Sequence, residues 1–225
     1  MVYIYYTMLI SFEQIYEILT RNNIHITGAF HVGAHECEEL DFYAKLGLNT
    51  EQVIWIDAMP NKVKEATDRG IPNVFNAVIT DRDGDDVEFN ISNNGQSSSV
   101  LEFGTHSVEH PWVHYVDKIR ATSVIIDTFM NENQIDATKL NFWNFDIQGA
   151  ELMALKGATQ SIQYADAIYL EVNEKELYVN CGLIHEIDAF LLAHGFSRVL
   201  THMTVHGWGD ALYIRTQLKH DSPSH

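Results

Sequence analysis

GAFHVGAHECEE, residues 28–39, reads as a short buried strand, a tight turn and the start of a helix. The apolar run climbs to Val32 and breaks at Gly33-Ala34, and helical character follows from His35 through Lys45. Open α/β sheets bind nucleotide-like cofactors on such a unit. A glycine lets the backbone come close to a ligand, and the helix N-terminus offers free N–H groups. One glycine is short of the three-glycine fingerprint of a dinucleotide site, so the weight of this turn depends on the residues at the later strand ends.

The flanking chain alternates strands with helices. Ser11 is placed to cap a helix reaching Asn22, with Phe12, Ile15, Ile18 and Leu19 on one face. After the first strand (28–33) and a helix over 37–46 ended by Gly47, QVIWIDA (52–58) reads as a buried strand ending in Asp57. Pro60 starts the next helix and Gly70 stops it. A third strand is expected at 73–79, and with VEFNIS (87–92) it reads as a hairpin across the acidic tip DRDGDD. No periodicity assigns NNGQSSS (93–99) or the aromatic- and histidine-rich 100–120. SVIID (123–127) reads as a short strand before a helix at 128–134. LNFWNFDI (140–147) is a strand, a helix runs from Ala150 to Gln163, ADAIYLEVN (165–173) is a strand, and a helix covers 183–194. SRVLTHMTV and DALYIR close the chain as an antiparallel pair. This order predicts an α/β protein with a doubly wound, mostly parallel sheet and an antiparallel C-terminal edge strand. The expected organisation is an N-terminal strand and helix arm (1–24), one α/β domain (25–216) and a disordered tail (217–225).

The 225 residues carry 31 acids against 14 Lys and Arg, a net charge of −17. Such a chain is repelled by phosphate backbones and anionic membranes, so neither nucleic acid nor membrane is an expected partner. The apolar start, MVYIYYTMLISF, is shorter than the roughly 20 residues of a membrane span and lacks the features of a signal peptide. Two cysteines without metal spacing fit a reducing, cytoplasmic setting. A homodimer is compatible with the sequence.

Ligands in such sheets lie beyond the carboxyl ends of the strands. Three of those ends carry acids: Asp57, Asp146 and Glu171. Asp57 stands where an acid roughly 20 residues beyond the glycine turn accepts both hydroxyls of a ribose. Asp146 follows a strand rich in aromatics, where an isolated carboxylate is costly without a partner. Glu171 interrupts an otherwise apolar strand. His106, His110 and His114 recur every four residues, but Pro111 breaks a continuous helix through them. No metal site is assigned.

HVGAHECEE (31–39), WIDAMP (55–60), FDIQGAELMALKGA (145–158), YLEVN (169–173) and GDALYIR (209–215) together resemble the FkbM-type family of S-adenosyl-L-methionine-dependent methyltransferases. The resemblance implies a Rossmann-like, seven-stranded methyltransferase sheet and methyl transfer to a hydroxyl of a small molecule, a sugar or glycan. It implies cofactor contacts at His31, Gly33, Ala34, His35, Glu36, Asp57, Ala58, Met59, Asn76, Ala77, Asp146 and Gln148. Ser97, Ser98 and Glu151 fall on the substrate side, and Asp146, Glu171 and His106 are the candidate catalytic groups. The chain departs from the family at His31, often Asp, at Cys37, often Gly, and at Asn144, often Lys. Two other readings stand beside this one: a non-catalytic module that binds the cofactor, and a nicotinamide-dependent oxidoreductase, which the single glycine and the lack of a Tyr-x-x-x-Lys pair disfavour.

Overall fold

The computed structural model describes residues 8–216. The expected start of the arm, residues 1–7, and the expected tail, residues 217–225, lie outside the described residues.

The central sheet is built from β1 (Ala29–Val32), β2 (Val53–Asp57), β3 (Val74–Asn76), β7 (Phe142–Phe145), β8 (Ala167–Asn173), β9 (Phe196–Met203) and β10 (Trp208–Arg215). Its order is β3-β2-β1-β7-β8-β10-β9. The five strands from β3 to β8 are parallel, and the C-terminal pair supplies the antiparallel edge through β10, which runs against both β8 and β9. The chain winds outward from β1 to one side, then returns to β1 and winds to the other. The topological switch therefore falls between β1 and β7, where ligand crevices form.

Both faces are covered. On one, Phe30, Trp143, Phe145 and Leu170 meet α5 (Ile126–Glu132), α6 (Glu151–Lys156) and α7 (Ile184–Ala193). On the other, Ala29, Trp55, Tyr169 and Leu212 meet α1 (Phe12–Arg21), α2 (Leu40–Lys45) and α3 (Pro60–Asp68). The expected cap holds: Ser11 accepts from the Gln14 N–H, and the Gln14 side chain reaches back to the Ser11 N–H, closing a capping box. Among the described residues no helix is long and apolar enough to cross a membrane.

Four expectations are corrected. The strand read over 73–79 divides at Ala77, with β3 in the main sheet and β4 (Val78–Ile79) in a second sheet. The expected hairpin does not form. Between β4 and β5 (Asp86–Ser92) lies β6 (Tyr115–Val124), parallel to the first and antiparallel to the second. The helix read over 37–46 begins only at Leu40, because Cys37 holds a left-handed φ of 55°. The helix after Ala150 ends at Gly157, and a short 3-10 turn (Ser161–Tyr164) follows. A further helix, α4 (His106–Glu109), is a single turn beside the small sheet.

The core predicts a contrast. Leu155, fully buried in α6, should cost about 2–5 kcal/mol when changed to Ala. Leu192 on α7, 65% exposed, should cost no more than about 0.5 kcal/mol. Urea denaturation of both variants checks the difference.

Candidate functional site

The carboxyl ends of the parallel strands open into a cavity of about 480 Å³, roofed by β5, the 94–100 loop and the 106–113 segment. The small sheet, whose central strand and pairing the sequence does not reveal, is thus what encloses the site.

The floor is made at the turn after β1. The Gly33 and Ala34 N–H groups both donate to the Ile56 carbonyl, at 2.8 and 2.9 Å, and the Asp146 N–H donates to the Val32 carbonyl at 2.9 Å. Gly33 has φ 95°, and a Cβ there would overlap the Asp146 carbonyl oxygen. The glycine is therefore required by the approach of another strand end, as well as leaving room at the cavity. His35 turns the chain with φ 40°, and its N–H donates to Asp57 Oδ2 at 2.6 Å. The Met59 N–H donates to Asp57 Oδ1 at 2.7 Å. Each Asp57 oxygen is held by one backbone N–H and keeps a further acceptor position for a ligand.

The opposite wall carries a linked set of acids. Gln148, left-handed at φ 56°, donates through Nε2 to Asp146 Oδ1 at 2.7 Å and to Glu171 Oε2 at 2.9 Å. Its Oε1 accepts from the Tyr178 hydroxyl at 2.6 Å, which fixes the amide with its NH2 toward the two carboxylates. Gly149, φ 95°, lets this turn pack on Tyr178 and Cys181, where a Cβ would be 2.8 Å from the Cys181 side chain. Across the strand pair Glu171 lies directly opposite Asp210, also in the cavity wall, which accepts from the Tyr169 hydroxyl and from the Leu9 N–H. Like charges facing across a sheet are destabilising. Burial and the neighbouring acids raise Glu171 well above the usual carboxylate range. Burial likewise pushes Asp146 and Asp210 up to about 6. Asp146 still opens on the cavity, so a carboxylate there is reachable by a ligand.

The cavity wall brings together Gly33, His35, Asp57, Ala58, Met59, Ala77, Ser97, Ser98, His106, Asp146, Gln148 and Glu171. The serine hydroxyls are mostly engaged in their own loop: Ser98 donates to the Gly95 carbonyl, and Ser97 accepts from Asn94. His106 stacks on Phe103 at 4.3 Å between centroids, and burial holds it neutral, lowered to about 4.

Five of the expected contacts lie outside the wall. His31 points to the opposite sheet face, against Tyr43 and Trp55, with Nδ1 2.9 Å from the Tyr43 hydroxyl. Ala34 is buried beneath the turn. Glu36 is exposed and pairs with Lys62 at 2.7 Å. Asn76 braces the site from behind, donating to the Asp57 and Ala58 carbonyls. Glu151, fully buried, accepts from the Ile147 and Gly149 N–H groups and organises the Gln148 turn from beneath the wall. Sequence reasoning missed Asp210, Tyr178, Glu38 and Trp112. Only Asp210 left a readable signal, an acid inside an apolar strand like Glu171.

Two of the departures from the family pattern are neighbours. His31 and Asn144 are register partners across β1 and β7, and the Asn144 amide donates to the Tyr43 hydroxyl at 3.2 Å. Burial lowers His31 to about 4, so the trio is neutral.

The turn geometry separates two glycines. Gly47 has φ 90° with open space around its Cβ position, so Gly47→Ala should cost about 1 kcal/mol from the left-handed backbone alone. Gly33→Ala adds the overlap with Asp146 and should cost beyond about 3 kcal/mol by urea denaturation. The buried acids set a pH dependence. Glu39 and Glu151, pushed up to about 8 by burial, hold protons in the folded chain that the unfolded chain releases near 4.5. Folding then takes up protons, so stability falls as pH rises. His31 and His106 oppose this only below pH 6.5. Unfolding free energy of the ligand-free protein should therefore drop between pH 6.5 and 8, by on the order of 2 kcal/mol. A rise over that window contradicts the assignment.

The model of the methyltransferase FkbM domain matches residues 31–198. The 2-O-methyltransferase NoeI of Sinorhizobium fredii is 28% identical over 112 residues, which are 47% of this chain and 45% of that protein. The matched stretch thus spans a little under half the length of this relative. Among solved structures, magnesium protoporphyrin IX methyltransferase from Synechocystis PCC 6803, with bound SAM, is similar at a TM-score of 0.47 and 11% identity, covering 91% of this chain and 78% of that one. The Streptococcus pneumoniae protein Sp1610, a putative tRNA (m1A22) methyltransferase, is similar at 0.45 and 11%, covering 95% and 74%. With its family model matched over most of its length and its strands in the order above, the chain belongs to the FkbM methyltransferase domain family, a family of S-adenosyl-L-methionine-dependent methyltransferases.

Proposed function

We propose that this protein is an O-methyltransferase that uses S-adenosyl-L-methionine to methylate a hydroxyl of a small polyhydroxylated acceptor, a sugar or glycan. The observation that carries the reading is one cavity joining Asp57, held ready to accept ribose hydroxyls, to the Asp146–Gln148–Glu171 network under the roof of the small sheet. A wall rich in carboxylates suits a cofactor that carries a sulfonium and an ammonium. The 2-O-methyltransferase relative favours a hydroxyl acceptor.

The bound cofactor supplies an already activated methyl group. The protein's task is then to hold the acceptor and take its proton, and orientation alone can lower the barrier by roughly 7–11 kcal/mol. Gly33, Asp57, Ala58 and Met59 would hold the cofactor's methionine and ribose ends. Asp146 is the favoured proton acceptor. It opens on the cavity, and with its titration near 6 it is ionised at neutral pH while more basic than an ordinary carboxylate. Gln148 holds it in place, and Glu171, raised well above the usual range, keeps its proton and adds no second full charge beside it. Tyr178 orients the Gln148 amide. His106, neutral and across the cavity, is the second candidate base.

Titration with S-adenosylhomocysteine and release of that product from a panel of glycosides test the reading. Asp57→Asn should weaken cofactor binding by roughly 10- to 100-fold, the loss of a charge-assisted hydrogen bond. Asp146→Asn should leave binding within a few-fold and lower kcat by about 100-fold or more. His106→Gln with the larger loss of kcat would move the base to His106. Cofactor binding with no turnover on any hydroxylated acceptor would favour a non-catalytic module.

A further inference from the structure

Six carboxylates, Glu38, Glu39, Asp57, Asp146, Glu171 and Asp210, line the cavity, and no Lys or Arg does among the described residues. The nearby cations are engaged elsewhere. Lys62 pairs with Glu36 and Glu65, Lys175 pairs with Glu109, and Arg69 donates to the Glu36 carbonyl. With Glu39 and Glu171 holding their protons, Glu38, Asp57, Asp146 and Asp210 still outweigh the single net positive charge of the cofactor.

Away from these acids, the 106–113 segment of the wall carries amphipathic aromatic groups. Trp112 lies at the mouth, 57% exposed, with its ring edge-to-face against His110 at 5.6 Å. His106, only 5% exposed, lines the cavity and leaves its buried Nδ1 without a partner. Aromatic faces and neutral polar atoms suit a sugar ring, which presents an apolar face and a rim of hydroxyls. They offer no fixed cation to a phosphate, whose charge is usually met by a forked guanidinium or an ammonium.

We infer that the acceptor moiety entering this cavity is an uncharged glycosyl ring, free of phosphate, nucleotide and carboxylate, so that methylation follows transfer of the sugar from its nucleotide carrier. The inference rests on the methyltransferase reading above and narrows its substrate. One like charge about 6 Å away, at an effective dielectric of about 20, costs roughly 100-fold in binding.

The test uses the full chain and begins with S-adenosylhomocysteine by isothermal titration. Failure to bind removes the methyltransferase reading, and this inference with it. When it binds, methyl hexopyranosides are compared with the matching hexose 1-phosphates, hexose 6-phosphates and nucleotide-diphosphate hexoses by release of S-adenosylhomocysteine from S-adenosyl-L-methionine. The neutral members should have kcat/KM at least roughly 100-fold higher. A phosphorylated or nucleotide-linked sugar turned over as well as its neutral partner overturns the inference and leaves the methyltransferase reading intact. With no turnover in either series, inorganic pyrophosphate and ADP are titrated into the S-adenosylhomocysteine complex. Half-saturation below about 1 mM overturns it, and no saturation supports it.

Discussion

The site depends on one steric constraint, the contact between Gly33 and the end of β7. β1 and β7 are adjacent and parallel, and beyond their last ladder bonds the chains must separate to form a crevice. Here they part only after the Gly33 backbone has passed against the Asp146 carbonyl, a space that no side chain fits. The Ile56 carbonyl holds the same turn from the other side by accepting two N–H groups. The backbones that carry Asp57 and Asp146 are therefore placed relative to one another by backbone contacts, before any side chain takes part. The precision that positioning chemistry needs is built into the sheet.

The acids gathered around that constraint oppose folding. Asp146, Glu171 and Asp210 end or occupy neighbouring strands, Glu171 and Asp210 face each other directly, and all three are pushed toward the protonated form. The apolar layers on both sides of the sheet offset that cost. A cationic cofactor would relieve it further, which couples binding to stability. On the hidden face the chain avoids adding to the cost. At the two departures from the family pattern, His31 and Asn144 form a neutral hydrogen-bonded group with Tyr43. Such a group meets its hydrogen-bonding needs without the desolvation cost of a buried charge.

The parallel sheet was legible because its strands are buried on both faces and read as short apolar runs with acids at their ends. β6 was not: only Ser123 of its residues is buried, and its pattern, YVDKIRATSV, carries charges where a core strand would carry apolar groups. Once β6 is missed, the neighbouring β4 and β5 can only be read as pairing with each other. The turn that floors the cavity was legible at Gly33, Asp57 and Asp146, where a backbone requirement or a costly charge marks the residue. Neighbours in sequence were a poorer guide. His31 is two residues from Gly33, but alternation along β1 turns it to the other face, and Glu151, close to Gln148, is drawn beneath the turn to cap its N–H groups. Of the roof, the resemblance pointed to His106, Ser97 and Ser98, but not to Trp112, and how these residues reach the strand ends is set by tertiary packing that local pattern does not show.

The most direct measurement is a crystal structure of the protein saturated with S-adenosylhomocysteine. The geometry predicts the ribose hydroxyls donating to Asp57 and the sulfur on the side of Asp146 and Gln148, beneath the 94–100 loop. Ligand bound elsewhere, or in this cavity with Asp57 untouched and the sulfur turned away from Asp146, would contradict it.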